Sequence, residues 1–238
     1  MNVLIGTPTH NSSQTCLGET CALINNNTHE VYPGQNAELL SMVSAQGCDI
    51  CEHVPALVKY GQLCSTITEF GVRYGWSTRS FLFAKPKTLL SVDLYPWDSV
   101  SQCGEPGPQT LVGPPGNNQF LRYKALYQGT VDYTYIQGNT LEIDIIPETE
   151  LLFIDTLHHK YCLLKELERH GNQATRFIIM HDTATFGLNG QNEYMPELPL
   201  GYGTGLLFAL SEWLPKNPHW VVKEHFVNNN GLTVLERR

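Results

Sequence analysis

The sequence predicts an α/β fold with a mostly parallel sheet and helices on both faces. Three observations lead to this prediction. Short apolar and β-branched runs alternate with segments whose apolar residues recur at helical spacing. Several of these runs end in an acidic residue, and one run passes through Gly71 and Gly75 into a predicted helix. The last two β-like runs flank an Asn-Gly pair, which is typical of an antiparallel hairpin.

Length and composition favour one substantial core preceded by an arm. The chain has 238 residues, of which 42% are hydrophobic, which is enough for a single α/β domain. We place that domain at residues 48–238. Residues 1–47 are interpreted as an irregular amino-terminal arm with one short strand and one helical run.

Charge and hydropathy exclude several classes of partner. Acidic residues outnumber Lys plus Arg by 23 to 15 and no basic run is present, so nucleic acid is not an expected partner. No apolar stretch approaches the length of a membrane span, and the amino terminus lacks the pattern of a signal peptide. We therefore expect a cytoplasmic protein with no membrane partner.

The first elements of the domain are predicted in the order helix, strand, turn and helix. Residues 49–63 carry apolar side chains at helical spacing, and residues 65–70 form a β-branched run. A turn with two glycines then leads into a helix over residues 77–84, with Ser77 or Thr78 near its N-cap.

The later elements continue the alternation of strands and helices. Residues 96–118 are rich in Pro, Gly, Ser and Gln, and we interpret them as a lid or an unstructured loop. Residues 183–205 combine Gly, Pro and Asn with aromatic side chains and are interpreted as a flap over an acceptor site or as a small satellite core. The other predicted elements are strands at residues 87–94, 133–136, 151–155, 176–180, 219–226 and 232–235 and helices from residue 121 and at residues 161–170 and 206–213.

The glycine turn has a nucleoside-binding pattern. Gly71 and Gly75 lack a Cβ, so the backbone can turn sharply and lie against a ligand at which helix amides point. Glu69 is expected to face the same crevice, and Asp93 follows at the distance where doubly wound folds place a carboxylate on ribose hydroxyls. The dinucleotide fingerprint is incomplete because Arg73 replaces a glycine and the third glycine is absent. The pattern therefore favours a ligand without a diphosphate.

Polar side chains recur at the ends of the predicted strands, and parallel strands bring their carboxyl ends to one edge of a sheet. These side chains are Glu69, Asp93, Asn139, Asp155, His181 and Asp182. The carboxylates of Asp155 and Asp182 suit a divalent metal, and His181 would be more acceptable to Mn²⁺ or Fe²⁺ than to Mg²⁺. In the metal-free alternative His158 or His181 is a general base. In the structural alternative these residues only end strands or cap helices.

The seven cysteines are expected to be free thiols, because a reducing compartment requires no disulfide. A zinc site formed by Cys16, Cys21, Cys48 and Cys51 is an alternative that the loose spacing of the first pair disfavours. Redox chemistry at the Cys48-x-x-Cys51 motif is also disfavoured, because no thioredoxin-like pattern surrounds it.

Several motifs resemble one known superfamily. The runs EFGVRYGWST, SVDL and IQGN resemble the first motif, the ribose-binding acid and the adenine-side loop of class I S-adenosylmethionine-dependent methyltransferases. The runs FIDTLHHKYCLLKELERHGN, FIIMHDTATFG and VNNNGLTVLERR resemble the branch related to cephalosporin-hydroxylase and macrocin O-methyltransferase proteins. The resemblance covers residues 48–238 and implies a Rossmann-like sheet of seven strands.

The resemblance also implies roles for individual residues. Asp155 would lie beside the transferable methyl group, which makes it a third catalytic candidate besides the two histidines proposed above as general bases, His158 and His181. Asp155, His181 and Asp182 would hold a divalent metal. The residues implied to bind S-adenosylmethionine are Glu69, Gly71, Gly75, Ser77, Asp93, Gly138, Asn139, Thr140 and Asp155.

We therefore expect an O-methyltransferase that uses S-adenosylmethionine, with Mg²⁺ or another divalent metal as an optional second cofactor. Kinship with antibiotic-sugar methyltransferases favours a sugar, a glycan or another small molecule as the acceptor, and a homo-oligomer is compatible with the sequence. Two alternatives are a nicotinamide-dependent oxidoreductase and a catalytically silent binding domain. A hydroxylase is disfavoured because no triad of two histidines and one carboxylate stands at a recognisable spacing.

Overall fold

The computed structural model describes residues 48–73, 75–94 and 125–238. The predicted arm at residues 1–47, the loop at residues 96–118 and the start of the helix predicted from residue 121 lie outside the described residues. Within the described ranges, strands and helices follow one another in the predicted order.

The described residues form a seven-stranded sheet. Its strands are β1 (Thr66–Phe70), β2 (Thr88–Asp93), β3 (Asp132–Gln137), β4 (Thr149–Ile154), β5 (Ala174–His181), β6 (Trp220–Phe226) and β7 (Leu232–Arg237). Their order across the sheet is β3-β2-β1-β4-β5-β7-β6. Strands β1 to β5 pair in parallel, whereas β7 is antiparallel to both β5 and β6. The predicted parallel sheet with a carboxyl-terminal antiparallel hairpin is confirmed.

The strand order reverses between β1 and β4, which is where ligands bind in open α/β sheets. The chain runs from β1 outward to β2 and β3 and then returns to the other side of β1. Hydrogen bonds continue beyond the strand ends, from Asp155 N to Phe70 O at 2.8 Å and from Gly71 N to Val92 O at 2.9 Å. The segments that leave β1 and β4 therefore start from fixed positions.

Helices cover both faces of the sheet, as predicted. In the described ranges they are α1 (Val54–Gln62), α2 (Trp76–Ala84), α3 (Lys160–His170) and α4 (Leu206–Trp213). Apolar side chains of α1 and α2 share a buried cluster with Ile67 and Phe153, whereas those of α3 and α4 share one with Leu152 and Ile154. Successive residues of β4 thus face opposite layers, because side chains alternate along a strand. No helix in the described residues is long and apolar enough to span a bilayer.

Helix α2 begins earlier than the sequence predicts. Its first residue is Trp76, and Gly75 is the N-cap residue with a left-handed φ of +75°. Ser77 and Thr78 are the second and third residues of the helix, near its N-cap as predicted, but neither caps it, because both hydroxyls donate to Glu69. The buried carboxylate of Glu69 thus binds the two hydroxyls that could otherwise cap the helix.

Cys48 and Cys51 form a disulfide, so the expectation of free thiols is wrong for this pair. A short 3-10 turn over Cys51–His53 brings the two Cα atoms to 5.5 Å, a separation that a disulfide can bridge. The bond also removes both sulfurs from the zinc alternative. Cys64 and Cys162 are buried free thiols.

Candidate functional site

The glycine turn after β1 packs directly against the end of β4. Gly71 has a φ of +80°, a conformation that favours glycine. A Cβ at this position would overlap the backbone oxygen of Asp155. The sharp turn predicted at Gly71 is therefore present, its packing against Asp155 was not predicted, and its contact with a ligand stays a prediction.

Asp93 holds the glycine turn from the end of β2. Its Oδ2 atom accepts hydrogen bonds from the backbone N–H groups of Val72 at 2.7 Å and Arg73 at 3.1 Å. The guanidinium of Arg73 in turn lies 2.8 Å from the carboxylate of Asp49. The acid predicted to bind ribose therefore lies at the turn, and its contact with a ribose stays a prediction.

Glu69 is fully buried beneath the start of α2 rather than facing an open crevice. Its carboxylate accepts hydrogen bonds from the hydroxyls of Ser77 at 2.5 Å, Thr78 at 2.7 Å and Ser91 at 2.5 Å. Burial raises the pKa of Glu69 to about 7, although the three hydroxyls favour the charged form. Glu69 and Ser77 thus bind each other, and direct contact of either with a cofactor stays a prediction.

The segment after β3 forms a tight turn. A Cβ at Gly138 would lie 2.7 Å from Ile143 Cγ2, and the side chain of Asn139 accepts a backbone hydrogen bond within the turn. The buried hydroxyl of Thr140 donates to Glu166 of α3 at 2.5 Å. Its polar atom is therefore directed toward α3, and the adenine-side role of this segment stays a prediction.

Two carboxylates and two imidazoles meet beyond the ends of β4 and β5. His158 Nε2 lies 3.1 Å from Asp155 Oδ1 and 2.9 Å from Asp182 Oδ2. His181 Nδ1 lies 3.5 Å from Asp155 Oδ2 and 3.2 Å from Asp182 Oδ2. We name these four side chains the Asp-His cluster. The structure brings together all the residues predicted to be catalytic or metal-binding.

The sheet explains why the cluster forms. Asp155 directly follows β4, and His181 is the last residue of β5, so neighbouring parallel strands deliver them to one edge. Asp182 has a φ of +60°, a left-handed conformation that is uncommon outside glycine. Such backbone strain persists only where its surroundings hold it, and it concentrates at functional sites.

The cluster is more accessible on one side. The exposed fraction of the side chains falls from 24% for Asp155 and 14% for His158 to 7% for Asp182 and 1% for His181. A molecule from solvent would therefore meet Asp155 and His158 first.

The outer nitrogen of each imidazole donates a hydrogen bond to a carbonyl oxygen. His158 Nδ1 lies 2.6 Å from Gln191 Oε1, and His181 Nε2 lies 3.1 Å from the backbone oxygen of Asn229. A carbonyl oxygen can only accept, so these contacts place a proton on the outer nitrogen of each ring. In the neutral rings, the lone pair then lies on the inner nitrogen, toward the two carboxylates.

The opposite charges within the cluster shift the pKa of each of its four side chains. Burial lowers the pKa of His158 and of His181, but the two neighbouring carboxylates outweigh burial and raise each to about 10. Burial likewise raises the pKa of Asp155 and of Asp182, but the imidazoles outweigh it and hold both values below the usual range. The cluster is therefore held in its ionic form.

Among the described residues, one buried atom of the cluster has no hydrogen-bond partner. His181 Nδ1 is close enough to both carboxylates for electrostatic attraction, yet no contact has the angles of a hydrogen bond. Ligand atoms from Asp155, His158 and Asp182 also lie within 4.8 Å of one another. Two carboxylates and two imidazoles are a donor set that suits a divalent cation, so the residues present fit a metal ion.

Three supports of the cluster were not identified from sequence. The ring of Phe186 stacks on His158 with centroids 4.8 Å apart and an interplanar angle of 14°. Gln191 and Asn229 accept the bonds from the outer nitrogens. Phe186 is one of the aromatic residues of the predicted flap, residues 183–205. Nothing in the sequence marks Gln191 or the Asn229 carbonyl, because their role depends on tertiary position.

The hairpin turn between β6 and β7 contacts the residues around the Asp-His cluster. His53 Nε2 contacts the backbone oxygen of Asn228 at 3.0 Å, and its ring lies edge-on to His181 with centroids 5.6 Å apart. Asn230 O accepts bonds from Ala184 N at 2.8 Å and from the next residue at 3.0 Å. The turn predicted from Asn-Gly therefore fixes the segment that follows Asp182.

The predicted flap divides its aromatic residues between two environments. Phe186 packs in the site, whereas Tyr194 and Tyr202 are 56% and 78% exposed. An isolated bridge between Asn189 and Tyr202 closes the flap into a loop. The ring of Tyr202 also lies edge-on to Phe208, with centroids 5.2 Å apart, and an acceptor-binding role for the flap stays a prediction.

Comparison with known proteins identifies the fold by structure alone. No family model matches the chain, and no curated protein matches it. An assigned O-methyltransferase from Klebsiella pneumoniae is similar in structure, with a TM-score of 0.51, 14% identity and coverage of 87% of this chain and 92% of that chain.

Two further solved structures are similar over most of their length. Magnesium protoporphyrin IX methyltransferase from Synechocystis, with bound S-adenosylhomocysteine, has a TM-score of 0.51 and 12% identity and covers 84% of this chain and 91% of that chain. 1,6-didemethyltoxoflavin-N1-methyltransferase from Burkholderia thailandensis has a TM-score of 0.51 and 11% identity, and the match covers 81% of this chain and 79% of that chain. This chain has the class I methyltransferase fold.

Proposed function

We propose that this chain, which has the class I methyltransferase fold, transfers the methyl group of S-adenosylmethionine to a hydroxyl oxygen of a sugar or another small molecule. One observation carries the proposal. The glycine turn and the Asp-His cluster meet at the same strand ends, where Gly71 packs against the backbone of Asp155. A methyl donor bound along the turn would lie beside polar groups that can serve an acceptor.

The glycine turn supports an adenosyl ligand without a diphosphate. Two glycines bring backbone close to the crevice, and α2 begins directly after Gly75, so its first amides are available to a ligand. Asp93 lies at the same turn, where a carboxylate suits a ribose diol. Arg73 occupies a position that a dinucleotide fingerprint reserves for glycine.

Methyl transfer to a hydroxyl is an in-line displacement. The bond between the methyl carbon and the sulfonium sulfur breaks as the bond to oxygen forms, and the hydroxyl proton must leave. A divalent ion held by Asp155, His181 and Asp182 would lower the pKa of a coordinated hydroxyl. In the metal-free alternative, His158 is more accessible than His181, but its raised pKa means that it accepts a hydroxyl proton only at alkaline pH.

The flap supports a sugar-like acceptor. The exposed rings of Tyr194 and Tyr202 offer flat apolar faces next to hydrogen-bonding groups, a combination that suits a sugar ring. A nitrogen acceptor is the alternative, since one similar structure is an N1-methyltransferase. The two alternatives share the donor site and differ only in the acceptor.

Two experiments test the proposal, first calorimetric titration for binding of the cofactor and then an assay of methyl transfer. Titration with S-adenosylhomocysteine should show one site per chain, and NAD should show none. A labelled methyl group should then pass to members of a panel of hydroxyl-bearing sugars and phenols but not to matched amines. Binding of NAD in place of S-adenosylhomocysteine would favour an oxidoreductase, and binding without transfer to any acceptor would favour a silent domain.

A further inference from the structure

The disulfide between Cys48 and Cys51 belongs to a short segment, residues 48–53, that we name the disulfide loop. This loop contacts both the glycine turn and the hairpin turn between β6 and β7. We propose that the disulfide is a redox-sensitive modification site, and that its reduction by a dithiol releases the disulfide loop from both turns. The site is argued from its contacts alone, and its consequence for cofactor binding rests on the proposed function.

The disulfide loop contacts the glycine turn through an ion pair. The carboxylate of Asp49, inside the ring that the disulfide closes, lies 2.8 Å from the guanidinium of Arg73. Arg73 has a left-handed φ of +44° and donates its backbone N–H to Asp93. Both side chains of the ion pair are about half exposed, and an exposed pair stabilises a conformation only weakly unless its residues are already ordered. The closed ring supplies that order for Asp49, because it restricts the backbone within it.

A second set of contacts joins the disulfide loop to the hairpin turn. Glu52 N donates to Asn229 Oδ1 at 3.1 Å, and Glu52 Oε2 accepts from Asn228 Nδ2 at 2.7 Å. His53 Nε2 lies 3.0 Å from Asn228 O and 3.2 Å from Asn229 O. Asn229 and Asn230 have left-handed φ values of +42° and +69°, and such conformations persist where surrounding contacts hold them. The disulfide loop therefore helps to fix the conformation of the hairpin turn.

The hairpin turn also contacts the Asp-His cluster and the segment that follows β5. The backbone oxygen of Asn229 accepts from His181 Nε2 as well as from His53, so one carbonyl contacts both rings. Asn230 O accepts from the backbone N–H of Ala184 at 2.8 Å. A shift of the hairpin turn would therefore change the orientation of His181 and the path of the segment after β5.

The two sulfurs differ in accessibility, which sets the direction of the reduction. Cys48 is half-buried, whereas Cys51 is 3% exposed. A thiolate of the reductant would attack the Cys48 sulfur, and the S–S bond would break with Cys51 as the leaving thiolate. The second thiol of the reductant then attacks the mixed disulfide and releases Cys48. The protein thus gains two electrons and two protons, and the dithiol becomes a disulfide.

The position of the disulfide suits regulation better than general stability. A disulfide stabilises a fold less when it closes a shorter loop, and Cys48 and Cys51 are only 3 residues apart in sequence. The thiols of Cys64 and Cys162 are poor competitors for exchange, because burial raises the pKa of each to about 12. In this role the disulfide is reduced by another molecule, which is distinct from the thioredoxin-like catalysis that the sequence disfavours.

Hydrogen exchange on the native protein without nucleoside tests the inference. The protein would be equilibrated with reduced or with oxidised dithiothreitol, and amide exchange would be followed by mass spectrometry. We expect reduction to accelerate exchange at least about tenfold in peptides that contain the amides of Glu52 and Ala184, and to leave peptides of β4 unchanged. Equal exchange in both redox states, or faster exchange throughout the sheet, would overturn the proposal.

Two variants assign the effect to this disulfide. Cys48→Ser should show the exchange pattern of the reduced native protein in both conditions. Cys64→Ala, at a buried free thiol, is the control and should keep the redox response of the native protein. A Cys48→Ser protein that still responds to dithiothreitol would contradict the proposal. If this variant does not fold, the comparison of the two redox states of the native protein still decides.

Calorimetric titration with S-adenosylhomocysteine measures the consequence for the glycine turn. The reduced protein should bind it at least about threefold more weakly than the oxidised protein, because the contact between Asp49 and Arg73 is lost and fewer molecules have the turn in place. Asp49→Ala should weaken binding by a similar factor in the oxidised protein. Glu168→Ala, a half-exposed carboxylate on α3, controls for the loss of charge and should bind like the native protein. Equal affinity in both redox states and in Asp49→Ala would contradict the link to the glycine turn.

The outcome is separable from that of the proposed function. A protein that binds no S-adenosylhomocysteine in either redox state, but exchanges faster at Glu52 and Ala184 after reduction, would support the redox-sensitive site and contradict the methyltransferase. A protein that binds S-adenosylhomocysteine and has the same exchange in both redox states would contradict the redox-sensitive site and leave the donor site supported.

Discussion

The glycine turn and the Asp-His cluster are neighbours at the strand ends, but their acidic side chains have different partners. Those at the turn accept hydrogen bonds from neutral groups, whereas those in the cluster lie against imidazoles. At the turn, three hydroxyls surround Glu69, and two backbone amides bind Asp93. In the cluster, carboxylates face imidazoles directly, and His181 Nδ1 has no hydrogen-bond partner in the part of the chain that the structure describes. The carboxylates at the turn accept hydrogen bonds, whereas His181 Nδ1 in the cluster has only electrostatic attraction to its carboxylates.

The pKa of Glu69 at the glycine turn and the pKa values of the two acids in the Asp-His cluster shift in opposite directions. Burial raises the pKa of Glu69, so the turn disfavours negative charge near neutral pH. The imidazoles outweigh burial and lower the pKa of Asp155 and Asp182, so the cluster retains its charges. Changes at the turn should therefore act through geometry and packing, and changes at the cluster through electrostatics.

The largest expected effect comes from Gly71→Ala. The new Cβ would overlap the backbone of Asp155, and a φ of +80° adds strain, so we expect a loss of more than about 3 kcal/mol in the free energy of unfolding together with loss of S-adenosylhomocysteine binding. Urea denaturation and calorimetry would measure both effects.

Gly129→Ala is the matched control for that change. Gly129 has a similar φ of +77°, but a Cβ there would meet no atom of the described residues within 4 Å. We expect a cost of about 1 kcal/mol from backbone conformation alone and unchanged ligand binding. Equal effects of the two substitutions would show that close approach to β4 is not what Gly71 provides.

The next largest effect concerns pH. Glu69 has a folded pKa of about 7 against an ordinary value of 4.5, so its stabilising contribution is fully present below the ordinary value and is lost as pH rises through the folded value. We expect Glu69→Gln to gain up to about 3 kcal/mol relative to the native protein on going from pH 5 to pH 8. Urea unfolding at several pH values measures this difference.

A half-exposed carboxylate controls for the loss of one negative charge. Glu168→Gln, on α3, should follow the native pH profile of stability. The opposite slope in Glu69→Gln, with relative stability falling as pH rises, would contradict the burial of a readily protonated carboxyl at the turn.

A smaller effect is expected at the disulfide next to the turn. Cys48→Ser should lower the free energy of unfolding by about 2 kcal/mol or less, because the closed loop is very short. Dithiothreitol should shift the melting temperature of the native protein in the same direction and leave that of the variant unchanged. A shift of the variant under dithiothreitol would mean that another pair of cysteines is responsible.

The smallest effect on stability is expected at the flap. Tyr202 is 78% exposed, so Tyr202→Ser should leave the melting temperature unchanged. If its ring stacks on a sugar acceptor, KM for that acceptor should rise about threefold at constant kcat. Tyr161→Ser, outside the flap, is the control and should leave KM unchanged.

The sequence predicted the sheet, its parallel strands and the final hairpin because each depends on local signals. Alternating apolar runs mark the strands, and Asn-Gly marks the turn between β6 and β7. It also predicted that Asp155, His181 and Asp182 would meet, because carboxyl ends of parallel strands share an edge.

The features that the sequence did not predict depend on contacts between segments that are distant in the chain or on the exact geometry of a turn. Ser77 is a good capping residue by type, but the buried carboxylate of Glu69 takes its hydroxyl. Gln191 and the Asn229 carbonyl orient the two histidines from distant segments, which no spacing rule identifies. The disulfide at Cys48 depends on a short turn that brings two thiols together.

Calorimetric titration of S-adenosylhomocysteine into the native protein, beside the Gly71→Ala and Gly129→Ala variants, tests most directly whether the strand ends form an adenosyl site. We expect one site per chain in the native protein and in Gly129→Ala, and none in Gly71→Ala. A folded native protein that takes up no S-adenosylhomocysteine, or equal affinity in all three proteins, would contradict this expectation.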